Sequence, residues 1–256
     1  MRVEPTAKRV RAYLGGHVVA DTTRALLVWE SPHYPTYYLP LDDVASGALT
    51  ASGATSRSPS RGEAVVHAVS AGGKLAENAA LTYPDSPIEE LRGHVRLDWD
   101  SMDAWFEEDE EVYVHPRDPY SRVDILPSSR RIRVEVDGVT VADSTHAMIL
   151  FETGLPARYY LPKTDVRLDL LEHTDSATSC PYKGTAEYWT VNGNKDLAWS
   201  YRTPLPESER VAGLISFYNE KLDIYEDELE HLRRAAVDQL EGLGRLGGVH
   251  DMADQV

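Results

Sequence analysis

The turn Cys180-Pro181-Tyr182-Lys183-Gly184 brings together, within five positions, the residues of this chain that could most readily do chemistry. Cys180 is the only cysteine, Lys183 follows it closely, and the proline and glycine predict a turn. Because a nearby ammonium favours the reactive thiolate, one hypothesis is thiol chemistry. The alternative is a small buried residue in a turn, since free cysteine is among the most buried residue types.

A glutamate and an arginine form a second candidate pair. Glu152 ends an apolar segment, where a carboxylate has to face a rim or a partner. Arg158 follows a few residues later, within reach across a hairpin. The two are either a structural ion pair or part of a pocket in which Glu152 is a general base or a hydrogen-bond acceptor.

Aromatic residues are concentrated in the same part of the chain. Tyrosine and tryptophan combine a large apolar body with a polar tip, which suits a ligand cleft but equally a core or a domain interface. The sequence predicts no catalytic residue, metal ligand or cofactor. The candidate ligand-binding residues are Glu152, Arg158, Tyr160, Cys180, Tyr182, Lys183, Trp199 and Tyr201.

These candidates belong to the second of two copies of one segment. Residues 8–44 align with residues 130–166 without a gap, and fifteen of the aligned positions are identical. The correspondence then continues through residues 81–83 and 199–201 and reaches residues 102–103 and 222–223. Such self-similarity predicts a duplicated domain.

The two copies differ at the turn that holds the cysteine. Ser58 and Arg61 of the first copy stand where the second has Cys180 and Lys183. The positive charge is therefore common to both copies and the thiol is not. This favours anion binding by Lys183 over thiol chemistry.

Each copy has the pattern of strands joined by tight turns. Residues 131–136 alternate apolar and charged side chains, as in a half-buried strand. Asp137-Gly138 follows and is a strong hairpin signal. Residues 148–151 form a short apolar run typical of a strand buried on both faces, and residues 158–161 and 166–171 are predicted as further strands.

One helix is predicted in each copy. Ser208 is a suitable N-cap, and Val211, Leu214 and Ile215 follow it at helical spacing. The corresponding helix of the first copy begins after Ser86.

The chain is predicted to contain four segments. They are a first repeat domain with a degenerate site (1–106), an acidic, proline-containing connection (107–129), a second repeat domain (130–226) and a charged C-terminal helix or tail (227–256). A copy that cannot bury its own face would close on the other copy. We therefore expect a pseudo-twofold pair, an intramolecular pseudo-dimer in a monomeric chain.

Composition excludes several classes of partner. The formal net charge of −16 argues against nucleic acid and anionic membranes. A single cysteine fits a reducing compartment, residues 1–11 lack the apolar segment of a secretory signal, and no apolar run is long enough to span a membrane. We expect a cytoplasmic protein.

Six short motifs of the second copy carry a resemblance to a known family: Val-Ala-Asp-Ser-Thr (141–145), Phe-Glu-Thr-Gly (151–154), Arg-Tyr-Tyr-Leu-Pro (158–162), Cys-Pro-Tyr-Lys-Gly (180–184), Ala-Trp-Ser-Tyr (198–201) and Phe-Tyr-Asn-Glu-Lys (217–221). They resemble the bacterial domain of unknown function family 427, also filed under a nucleotidyltransferase-like name. The resemblance covers residues 8–106 and 130–226. It implies a mainly β, Mss4-like, tent-shaped fold with about one helix per copy, and no settled activity.

The residues give little support to metal-dependent chemistry. Nucleotidyl transfer needs carboxylates that hold divalent metal ions and donors for the phosphates. The sequence has no paired Asp-x-Asp after Gly-Ser, no P-loop and no Gly-x-Gly-x-x-Gly. A structural zinc is equally unsupported, because the single cysteine and scattered histidines have no ligand spacing.

The leading functional hypothesis is therefore one pocket for an anionic small molecule, in the second copy, with an enzymatic role left open. One alternative is a non-catalytic interaction or scaffold module whose acidic surface meets a protein partner. The other is a nucleotidyltransferase-like enzyme.

Overall fold

The computed structural model describes residues 1–227 of the chain. Strands account for 56% of it and helical segments for 8%, which confirms the predicted mainly β fold. The described residues divide into two compact units, the first ending at residue 118 and the second beginning at residue 119. No helix in the described part is long and apolar enough to cross a membrane.

The first unit consists of two antiparallel sheets. Two 3-10 helices, Leu41–Asp43 and Glu89–Leu91, interrupt its strands. The larger sheet has the order β1-β4-β5-β9-β8-β7-β6 and the smaller one β11-β10-β2-β3. The strands are β1 (Arg2–Pro5), β2 (Val10–Leu14), β3 (His17–Thr22), β4 (Leu26–Trp29), β5 (Thr36–Pro40), β6 (Leu49–Ser58), β7 (Gly62–Ala71), β8 (Lys74–Thr82), β9 (His94–Leu97), β10 (Ala104–Glu107) and β11 (Glu110–Val112).

The second unit repeats this arrangement. Its larger sheet has the order β12-β15-β16-β20-β19-β18-β17, and its smaller one β14-β13-β21 among the described residues. Its 3-10 helices are Lys163–Asp165, Leu168–Leu170 and Pro206–Val211. The strands are β12 (Val123–Ser128), β13 (Ile132–Val136), β14 (Val139–Ser144), β15 (Ala147–Glu152), β16 (Arg158–Leu161), β17 (Leu171–Cys180), β18 (Gly184–Val191), β19 (Asn194–Ser200), β20 (Ile215–Phe217) and β21 (Asp223–Glu226).

The predicted duplication is confirmed by the strand order and by the register. Each strand of one large sheet has its counterpart at the same place in the other. In the first unit Leu39 lies opposite Val95, and in the second Leu161 lies opposite Ile215. The aligned sequences therefore adopt the same topology.

The two faces of the large sheet in the second unit pack in two separate cores. In the second unit, Ile149 and Leu161 face the small sheet and pack with Val134. Their neighbours Leu150 and Tyr160 alternate to the opposite face and form a smaller core with Trp199. This second face carries most of the residues predicted to bind a ligand.

The predicted hairpin at Asp137-Gly138 joins β13 and β14. Both residues adopt positive φ, 52° and 75°, as a tight hairpin turn requires. In the first unit Gly15 and Gly16 adopt φ of 61° and 73° at the same turn. The two sequences thus meet one steric requirement in different ways.

The predicted amphipathic helices are wrong in length and type. The structure has the short 3-10 helices Glu89–Leu91 and Pro206–Val211, and the chain then enters a strand. Ile215, expected on a helix, is buried in β20. Gly93 and Gly213 adopt φ of 76° and 70° and end the helical turn, after which pairing with the sheet decides the conformation.

Two further predictions concern segments of the second copy. Residues 166–171 are not a continuous strand, because Val166 forms only an isolated bridge before the 3-10 helix Leu168–Leu170. The C-terminal helix predicted from Asp227 lies, apart from that first residue, outside the described residues.

Candidate functional site

The predicted site residues of the second repeat come from separate strands of its large sheet. Glu152 ends β15, Arg158 and Tyr160 lie on β16, and Trp199 lies on β19. Residues two positions apart on a strand share a face, so these side chains lie on the face of the smaller core. We call the group formed by Glu152, Arg158, Tyr160, Cys180, Lys183, Trp199 and Tyr201 the polar cluster.

A buried ion pair lies at the centre of the polar cluster. Lys183 Nζ is 2.5 Å from Glu152 Oε2, and the two side chains are only 5% and 7% exposed. Burial disfavours the ammonium, but the surrounding Cys180, Glu152 and Tyr160 outweigh this and raise the pKa of the lysine. Lys183 is therefore held as a charged ammonium.

Tyr160 connects the ion pair with the aromatic part of the cluster. Its hydroxyl accepts a hydrogen bond from Trp199 Nε1 at 3.2 Å. Complete burial raises the pKa of Tyr160 to about 12, although Lys183 partly opposes the effect. The phenol stays protonated at neutral pH and can donate.

Arg158 does not pair with Glu152, which corrects the prediction made from their spacing. Its Nη1 instead donates to Glu220 Oε2 at 2.8 Å, and its guanidinium lies 5.6 Å from the centre of the Trp199 ring. The pairing follows from the neighbouring strand β20, which brings the chain after it beside β16. Glu220 was missed because it lies 62 positions from Arg158, although it belongs to the motif Phe-Tyr-Asn-Glu-Lys.

The remaining predicted residues have different surroundings. Cys180 is a free, buried thiol, as the non-reactive interpretation expects. Tyr182 is half-buried, and its carbonyl accepts a hydrogen bond from Ser208. Burial, then the nearby Tyr160 and Cys180, raise the pKa of Tyr201 well above its usual value.

Several buried polar atoms around the cluster lack a hydrogen-bond partner among residues 1–227. They are the hydroxyls of Tyr201 and Ser216 and Oε1 of Glu220. Ser216 lies opposite both Tyr160 and Trp199 in the sheet. Unpaired buried polar groups are uncommon in folded proteins and call for an explanation at each site.

The first repeat has a different charge balance at the matching place. Glu30 accepts a hydrogen bond from Tyr38 at 2.7 Å and forms ion pairs with Arg61 and with Arg96, whose Nε is 3.2 Å away. The strand register puts Arg96 where the second repeat has Ser216. Among the described residues, Glu30 therefore faces two cations, whereas Glu152 faces one.

No metal-binding constellation was found in the described part of the chain. Within residues 1–227, no three or more histidine, cysteine, aspartate or glutamate side chains are grouped so as to hold a metal ion.

One family model matches the chain in two places. The family model described as domain of unknown function DUF427, with the short name NTP_transf_9, matches residues 2–108 and again residues 124–228. A comparison with the curated proteins finds no match.

Proposed function

The chain belongs to the DUF427 family, in two tandem copies, and we propose that this member binds a small anionic molecule at the polar cluster of its second repeat. The proposal rests on a buried ammonium in a cluster that also holds or adjoins buried polar atoms without hydrogen-bond partners among residues 1–227. Lys183 is almost completely enclosed, and the hydroxyl of Tyr201 and that of Ser216 are buried and unpaired in the described part. A polar ligand would supply the missing partners.

The charges of the cluster indicate how an anion would bind. The two cations of the cluster are each paired with a carboxylate: Lys183 with Glu152 of the cluster, and Arg158 with Glu220 beside it. These four side chains are together neutral. An anionic ligand therefore has to displace a carboxylate from one of these two cations. The pair of Arg158 and Glu220 is the more accessible, with side chains 15% and 17% exposed, so the ligand first meets the planar fork of Arg158.

The protonation state of the lysine favours binding over covalent catalysis. A lysine nucleophile needs a pKa lowered towards neutrality, whereas the pKa of Lys183 is raised. An ammonium of this kind supplies a fixed positive charge, and Tyr160 adds a protonated hydroxyl within the same cluster.

The first test is a search for the ligand itself. The full chain is purified, denatured and examined by mass spectrometry for a released small molecule. In parallel, calorimetry measures binding of inorganic phosphate, acetate, succinate, citrate and nucleoside monophosphates. We expect at least one of these anions to bind with a stoichiometry of one per second repeat.

Variants then test the site. Lys183→Ala should weaken binding by about 1.5–3 kcal/mol, the range for a hydrogen bond to a charged group. Since that change leaves Glu152 buried without its partner, the double variant Glu152→Gln/Lys183→Met serves as a neutral substitute that preserves packing. Arg61→Ala in the first repeat is the matched control and should leave binding nearly unchanged. Equal losses from Lys183→Ala and Arg61→Ala would refute the assignment.

A further inference from the structure

The first unit contains a cleft that the sequence did not predict. Its volume is about 190 Å³, and it lies where β5 begins and β9 ends, beside residues 114–116. This is smaller than the roughly 300–1,000 Å³ typical of drug-sized ligand sites, so its ligand is correspondingly small. Tyr34, Arg96, Asp98, Trp99 and Asp100 are among the residues that line it.

The second repeat has an ion pair at the same place. The register that aligns the two copies makes Thr36 and Asp100 the counterparts of Arg158 and Glu220. Arg158 and Glu220 lie 2.8 Å apart and bridge the two segments. Thr36 has no charge with which to pair with Asp100. Both residues line the cleft, so no ion pair between them closes it.

Aromatic rings form the apolar walls of the cleft. Trp99 stacks on Trp105 with ring centres 4.8 Å apart, and Tyr34 stacks on His115 with ring centres 3.9 Å apart. Stacked rings hold one another in place and present flat surfaces. Such walls accommodate an apolar or planar part of a ligand at little cost in side-chain entropy.

Charged groups of both signs line the same cleft. Arg96 Nε lies 3.2 Å from Glu30 Oε1, an ion pair that lacks hydrogen-bond geometry and so leaves this N–H without a hydrogen-bond acceptor among the described residues. Asp98 accepts hydrogen bonds from the backbone and hydroxyl of Ser101 at Oδ2, at 3.1 and 2.6 Å, and Asp100 is exposed at the rim. The arginine matches a carboxylate, and the two aspartates match an ammonium.

We propose that this cleft is a second ligand site, specific for a small zwitterion of the amino-acid class. The ligand's carboxylate binds Arg96, its ammonium binds Asp98 and Asp100, and its side chain lies against Trp99 and Tyr34. The cleft differs from the polar cluster in repeat, in charge pattern and in ligand. It does not depend on the function proposed for the second repeat.

The test begins with the unmodified full chain. Saturation-transfer NMR is recorded with each of the twenty standard L-amino acids at millimolar concentration. We expect at least one with an apolar or aromatic side chain to bind. Its amine, which lacks the carboxylate, and its acid, which lacks the ammonium, should each bind at least about tenfold more weakly, because each leaves a charged group unpaired. Equal binding of the amine or the acid would overturn the assignment, as would no binding by any amino acid.

Two substitutions at one position locate the site. Thr36→Arg reproduces the arrangement of the second repeat, in which the arginine pairs across the cleft, and should abolish amino-acid binding. Thr36→Val has nearly the shape of threonine and should keep it. Thermal unfolding shows whether both variants are folded, and only folded variants are compared. Retained binding in folded Thr36→Arg would overturn the proposal. The double variant Glu152→Gln/Lys183→Met should bind the amino acid as the unmodified chain does, and a loss there would place the site in the second repeat instead.

Discussion

The two repeats allow the cost of breaking one buried ion pair to be measured against a built-in control. The substitution Lys183→Met removes the only described cation that pairs with Glu152, whose side chain is 7% exposed. Arg61→Met makes the matching change in the first repeat. There Glu30 keeps Arg96 at 3.2 Å and the hydroxyl of Tyr38 at 2.7 Å.

The expected difference follows from what each carboxylate retains. Removing one partner of a buried ion pair costs about 3–5 kcal/mol, because the other charge is left uncompensated. Loss of one of several partners, at a glutamate that is 18% exposed, should cost about 1 kcal/mol. Since neutral, well-packed replacements for buried ion pairs are often tolerated, the double variant Glu152→Gln/Lys183→Met should recover most of the stability lost by Lys183→Met.

Calorimetry and urea denaturation of the full chain measure these differences. Lys183→Met should lower the melting temperature of one unfolding transition by about 10 °C or more, and Arg61→Met by only a few degrees. Trp29, Trp99 and Trp105 lie in the first unit, so tryptophan fluorescence reports on both units, and the transition shifted by each substitution assigns it to its unit. Equal losses from the two single variants would refute this reasoning, as would a double variant no more stable than Lys183→Met.

Three further predictions concern other parts of the structure. Because the folded-state pKa of Tyr160, about 12, lies above the unfolded value near 10, its contribution to stability is complete below about pH 10 and is lost as pH rises to about 12. In Tyr160→Phe the fall in the free energy of unfolding between about pH 10 and pH 12 should be smaller by roughly 2–3 kcal/mol. Urea denaturation at a series of pH values measures this fall, and an unchanged dependence on pH would contradict the prediction. Cys180 is 3% exposed, so thiol labelling of the folded protein should be slow and Cys180→Ser should leave anion binding intact, whereas rapid stoichiometric labelling that abolishes binding would favour a nucleophile. Gly15→Ala should destabilise more than Gly16→Ala, since both have positive φ but only a Cβ at Gly15 would lie 2.6 Å from the carbonyl of Ala71; thermal unfolding decides between them.

The strands and turns of the duplicated fold could be predicted from the sequence because they depend on local patterns. The alternation in β13 and the Asp137-Gly138 turn depend only on residues next to one another in the chain. The helix prediction failed for a related reason. The spacing of Val211 and Ile215 fits a helix, but Ile215 pairs with Leu161 from a distant strand, and that pairing cannot be read from the segment itself.

The candidate site was predictable in part for the same reason. The sequence identified the residue types of the polar cluster, and sheet alternation puts its strand residues Glu152, Tyr160 and Trp199 on one face. It did not identify Glu220 as the partner of Arg158, or Arg96 as a second cation beside Glu30. Both depend on which strand becomes the neighbour of β5 or β16, which is a property of topology.

In each repeat a strand from the start of the sequence pairs with one from its end, and this has a consequence for synthesis. β2 pairs with β10, so that Val10 lies opposite Glu107, and in the second repeat Ile132 lies opposite Glu226. Neither small sheet can be completed until the ribosome has made almost the whole repeat. Contacts so distant in sequence slow folding.

The pairing of an early strand with a late one also brings the two ends of each repeat side by side. A unit whose ends meet can be copied and joined to itself with little rearrangement of its interior. During translation the first repeat can complete its sheet while the second is still being made. The strands of the second repeat are then synthesised when the first repeat has already folded, which limits mispairing between two such similar sequences.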